Sequence, residues 1–172
     1  MQSLSLYKFF YLAIRQSFFD LGIKEPEIAD YIANLLAEFA RTDNLYKIRN
    51  AQGEKLTTVV EMLIEANYSF REREIKKHIG DYTLFMTGIF REYVKNQSFF
   101  QFYLEEGKRA YFYVFNFDRL AYVPGSYLFF ELSKNFEFYS GALDYMKKRF
   151  FKETKSSDPF LDFSYQLSRY VH

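Results

Sequence analysis

The sequence predicts an all-α fold: a compact single-domain helical bundle over residues 1–172, with about six or seven helices and kinked or broken central helices. Three observations carry this. Apolar residues recur at steps of three and four along most of the chain, the period of helices that bury one face. The breaks between these stretches are short, which favours neighbouring helices packed side by side. No repeat period or Gly/Ser/Pro-rich linker divides the 172 residues, a length that suits one domain burying about 70% of its unfolded surface.

The first stripe is Leu4, Tyr7, Tyr11, Ile14, Phe18 and Leu21, ended by Gly22. Lys8, Arg15 and Asp20 interrupt it, so it reads as an amphipathic helix and not as a signal peptide or membrane span. Pro26 suits the first turn of a second helix, whose stripe of Ile28, Ile32, Leu35 and Phe39 runs to about Arg41 and pairs antiparallel with the first. Thr42 to Gly53 is polar and closes on the turn-like Asn50-Ala51-Gln52-Gly53, which marks a loop. A third helix places Leu56, Val60, Leu63 and Asn67 on one face and Glu61 and Glu65 opposite.

Ser69-Phe70-Arg71-Glu72 has the spacing of a capping box, and a helix follows through Ile75, Ile79, Tyr82, Phe85, Met86, Ile89 and Tyr93. Gly80 and Gly88 lie inside it. Each costs about 1 kcal/mol of helix stability relative to alanine, so a kink or a close helix contact is expected there. A second box, Ser98-Phe99-Phe100-Gln101, opens a segment through Gly107 and Ala110 towards Asp118. Ala110 to Phe117 is rich in strand formers. Glu105, Glu106, Lys108 and Arg109 just upstream keep helical spacing, so helix is the reading and a hairpin its competitor. Pro124-Gly125 marks a turn. One long helix then carries Leu132, Phe136, Tyr139, Leu143, Met146 and Phe150, and Asp158-Pro159 caps a last one with Phe160, Phe163, Leu167 and Tyr170.

Composition narrows the chemistry. The absence of cysteine excludes disulfides, thiolate nucleophiles and Cys-ligated metal centres. With 23 basic and 22 acidic side chains the net charge is +1, so no global field recruits nucleic acid. The longest uncharged run, Leu120 to Phe130, contains Pro124-Gly125 and is too short to span a bilayer. A soluble cytoplasmic protein is the default. Neither a Gly-x-Ser-x-Gly elbow nor a phosphate loop nor a dinucleotide fingerprint occurs, and no motif indicates a cofactor.

Glu74, His78 and Asp81 form the nearest polar constellation, at i, i+4 and i+7. His78 falls at the edge of the apolar stripe with Glu74 and Asp81 flanking outward, so the group reads as a surface ion-pair row that includes Lys77, with metal ligation as the weaker alternative. Lys147, Lys148, Arg149 and Lys152 surround Phe150 and Phe151. They are candidates for an anionic surface, although a helix C-terminus already favours cations.

The aromatic content, 16 Tyr and 22 Phe, exceeds what the stripes require. Its richest segment runs from Phe99 to Tyr127, which makes Phe99, Phe100, Tyr103, Tyr111, Tyr113 and Tyr127 candidates for an interface or ligand pocket. The leading expectation is therefore a binding protein that presents this aromatic surface to a second copy or a protein partner. The alternative is a motif-poor helical enzyme or cofactor, metal or apolar-ligand carrier built on Glu74, His78 and Asp81 or on an aromatic pocket.

Overall fold

The computed structural model describes residues 2–41, 52, 54, 57–68, 70–153 and 158–171. Among them the regular structure is entirely helical, in nine helices. These are α1 (Gln2–Asp20), α2 (Pro26–Phe39), α3 (Val59–Tyr68), α4 (Glu72–Ile89), α5 (Arg91–Asn96), α6 (Phe100–Leu120), α7 (Tyr127–Lys134), α8 (Phe136–Phe150) and α9 (Pro159–Tyr170). The expected loop at 42–53 lies almost wholly outside the described residues, as does Leu56.

Two stretches each read as one helix are broken, in keeping with the expectation of kinked or broken central helices, and this accounts for the higher count. One breaks at Phe90 (φ −115°, ψ 41°), the other at Asn135 (φ −110°, ψ 29°). Phe90 is buried against Phe85, Phe160 and Phe163, and the Asn135 amide donates to Glu131 Oε2 at 2.9 Å. Each break is one residue long, so the apolar period continues across it and periodicity alone cannot reveal it.

Helix α4 is the axis of the fold. Every residue from His78 to Phe90 is buried, as expected of a helix surrounded by others. Helix α6 runs antiparallel to it, since Arg73 meets Asp118, Gly80 and Asp81 meet Tyr111, and Thr83 meets Gly107. Helix α8 runs parallel on another side, where Thr87 meets Ser140, Gly88 meets Leu143 and Lys147 lies over Phe90. The interior glycines permit this approach: a Cβ on Gly80 would stand 2.6 Å from the Tyr111 ring, and one on Gly88 2.5 Å from Leu143 Cβ.

The peripheral helices correct several local expectations. Gly22 (φ 73°) does end α1, with Ile23 N–H donating to Phe18 O at 2.8 Å. The buried face of α1 is Phe10, Ala13, Ile14 and Phe18, however, with Leu21 37% exposed. In α3 the buried face is Val59, Met62 and Ala66, while Val60 and Ile64 are exposed. Two apolar stripes compete there, and contact with α4 selects the first. Thr58 caps α3 by accepting Glu61 N–H at 3.1 Å, a Thr-x-x-Glu box that the apolar pattern does not reveal.

Neither expected capping box forms as drawn. Ser69 lies outside the described residues, and Arg71 occupies the cap of α4 without a side-chain bond. Ser98 sits at φ 63°, and Phe99 caps α6. Ala110–Phe117 lies within helix α6. Asp158 does cap α9, its Oδ1 accepting Phe160 and Leu161 N–H at 3.1 Å each. Asp158→Ala is expected to cost about 1 kcal/mol in urea unfolding. A loss under a few tenths would mean that the packing of Phe163 on Phe151 holds α9 without its cap.

Candidate functional site

The most polar place in the interior is centred on Asp81. Its side chain is 6% exposed, contrary to the outward placement expected from the stripe, because α4 has neighbours on every side. Oδ1 accepts the hydroxyls of Tyr31 at 2.5 Å and Tyr111 at 2.6 Å, and Oδ2 accepts Lys77 Nζ at 3.0 Å. The expected Lys77–Asp81 pair is thus made, but at the edge of the core and not on an open surface. Beside it, Arg73 donates to both carboxylate oxygens of Asp118, at 3.0 and 2.7 Å. Phe129 lies under the Arg73 guanidinium and against the Tyr31 and Tyr111 rings.

Burial, followed by the charge of Asp81, pushes the phenols of Tyr31 and Tyr111 well above the ordinary tyrosine value of 10.0. In the unfolded chain they ionise near that value, whereas in the fold they stay neutral. Their contribution to stability is therefore complete below about pH 10 and declines as pH rises further. Absorbance titration is expected to show these two phenols ionising only with alkaline unfolding; their reversible ionisation in the folded protein near pH 10 would contradict the burial argument.

Both Asp81 oxygens are engaged, and Tyr111 is 0% exposed. Such groups join α2, α4 and α6. The other two members of the expected constellation are elsewhere: Glu74 is exposed, while His78 is 1% exposed and packs against Phe39 and Tyr82. Among the described residues no three His, Asp or Glu side chains are grouped to hold a metal.

The six aromatic candidates also divide. Tyr103 and Tyr111 belong to the core and are removed from any surface site. Phe99 is 49% exposed and stacks on Tyr103, and Phe100 lies beneath Arg91 and Lys95. Tyr113 is half-buried under Lys76, its hydroxyl raised in pKa by burial and by a hydrogen bond to Glu72. Tyr127 is 63% exposed. Phe99 and Tyr127 flank opposite ends of α6, about 30 Å apart along a helix of that length, so the six do not make one site.

What the structure does bring together is a face at the α6–α7 corner. Phe112, Phe115, Phe130 and Tyr127 form a chain of ring contacts, at 6.0, 5.1 and 5.4 Å between successive centroids. Phe117, Leu120, Tyr122 and Val123 are exposed on the same helix end and turn. Of these residues Tyr127 is one of the six aromatic candidates. The uncharged run Leu120–Phe130, too short to cross a membrane, is the signal that contains most of the rest.

The basic stretch at the end of α8 is partly engaged within the fold, with Lys148, Arg149 and Lys152 exposed. Lys147 lies over the Phe90 ring, and burial lowers its pKa. Lys148 pairs with Asp144 at 3.0 Å, Arg149 with Asp20, and Lys152 is exposed. Phe151 is buried and therefore not free to stack on a ligand. An open cleft of about 340 Å³ sits at the α1–α2 turn, between Arg15, Phe18, Ile23 and Lys24, on elements separate from the aromatic segment.

Among the described residues no helix is long and apolar enough to cross a membrane. Comparison of the chain with protein-family models, with curated proteins and with solved structures finds no match.

Proposed function

We propose that the protein acts by binding, presenting the aromatic face of the α6–α7 corner to a partner surface. The observation that carries this is the unbroken exposure of residues 119–125 beside rings that touch one another but are incompletely covered. Apolar side chains that remain in contact with water gain further burial when a second surface covers them. The polar network at Asp81 supports the same conclusion from the other side, since its hydrogen-bonding capacity is used within the fold.

In water alone, the surface this face meets is a second copy of the chain. Light scattering over a concentration series is expected to show the mass rising reversibly above the 20.8 kDa of the chain. Joint substitution Leu120→Asp and Tyr122→Asp is expected to return it to the single-chain value. A constant single-chain mass at every concentration would remove self-association from the reading.

A further inference from the structure

We propose that the partner of this face is the surface of an anionic lipid bilayer, entered by the turn that follows α6. The proposal rests on the binding reading above and names its partner. Shape is the first argument. Residues 119 to 125 are exposed in succession, with Leu120 at 71% and Tyr122 at 92%, and Tyr127 opens α7 directly after them. This is an apolar tip and not a groove. A tip suits a partner that yields around it, and the boundary between lipid headgroups and acyl chains does so to a depth of about 5–10 Å.

Residue chemistry is the second argument. Leu120 to Phe130 carries no charged side chain, and Tyr122 and Tyr127 combine an apolar ring with a polar tip, the combination favoured at headgroup level. Charge is the third. Between Gly107 and Phe130 the sole acidic residue is Asp118, which is 3% exposed and neutralised by Arg73. Arg119 adjoins the tip, Lys134 lies over Phe130 and Lys76 over Tyr113. Glu131, at the far edge, is half-buried and accepts the Asn135 amide. Glu72, hydrogen-bonded to the Tyr113 hydroxyl, lies one turn from Lys76 and offsets it, so the cations left at the rim are Arg119 and Lys134, which complement an anionic headgroup layer.

The test is flotation of the full chain with vesicles of phosphatidylcholine alone and of phosphatidylcholine doped with phosphatidylserine. Flotation is expected with the doped vesicles, reduced by added salt and reduced about fivefold or more by Arg119→Glu. Leu120→Asp with Tyr122→Asp should abolish it. Tyr122→Asn with Leu120→Ser serves as the second variant, because Asn suits the left-handed backbone of Tyr122 (φ 57°), and far-UV circular dichroism verifies that both variants fold. No flotation with doped vesicles overturns the lipid assignment. If light scattering still shows association lost in the double variants, the binding reading survives with a protein partner, and if it does not, both fall. Flotation undiminished in the double variants also overturns the proposal and moves the lipid contact to another surface, the Lys147–Lys152 helix end being the next to test.

Discussion

Asp81→Ala is expected to destabilise the fold by about 2–4 kcal/mol, more than any other single polar substitution in the interior. The hydroxyls of Tyr31 and Tyr111 would lose the acceptor they share at 2.5 and 2.6 Å. Tyr111 has no access to water as a substitute, being 0% exposed. Lys77, with 31% of its side chain exposed, would be rehydrated at little cost, so the penalty falls on the phenols and on the cavity left behind. Asp81→Asn keeps an oxygen at the same position and is expected to lose about half as much. Thermal unfolding should record the difference at roughly 2–4 °C per kcal/mol for a chain of this length. Equal and small losses for both variants would show that α2, α4 and α6 do not depend on this carboxylate.

Gly88→Ala is expected to cost about 2–3 kcal/mol, although alanine is the better helix former. Its Cβ would lie 2.5 Å from Leu143 Cβ and 2.9 Å from Leu143 Cδ1. A Cβ cannot rotate away from its own backbone, so α4 and α8 would have to separate. Gly141 supplies the internal control, since it sits within α8 at no positive φ, and a Cβ added there would meet nothing within 4 Å. Gly141→Ala should stabilise by about 0.5–1 kcal/mol. Denaturant unfolding of the two variants therefore separates close packing from helix propensity. Stabilisation by both would mean that the α4–α8 contact yields easily to an added methyl group.

The sequence is most informative where one face of a helix meets the core and the other meets water. Helix α2 is such a case: Ile28, Ile32, Leu35 and Phe39 are all buried. The last helix is another, with Asp158 at its cap and Phe163 and Leu167 buried. Periodicity misleads where that assumption fails. On α4 it places Asp81 outward, yet the uncharged stretch Tyr82 to Phe90 and the paired glycines already point to burial on every side. On α3 it favours the wrong one of two overlapping stripes, because the choice depends on the neighbour and not on the helix.

The candidate site is legible in composition but not in position. Aromatic enrichment locates the segment from Phe99 to Tyr127, yet a count of rings does not separate Tyr103 and Tyr111, which fill the core, from Tyr127 and Tyr122, which leave it. The Arg73–Asp118 pair joins residues 45 positions apart and has no local sequence signature. The break in character at Leu120, where charge disappears just as the helix ends, is the feature that distinguishes the exposed tip.

That the exposed turn binds while the interior network only holds the fold is tested most directly by measuring thermal stability and association together in Leu120→Asp/Tyr122→Asp. Both side chains are largely in water, so the melting temperature should stay within about 2 °C of the parent while the concentration-dependent rise in mass disappears. A melting temperature that falls as far as in Asp81→Ala, with association unchanged, would show that these residues serve the core and would contradict a binding role for the turn.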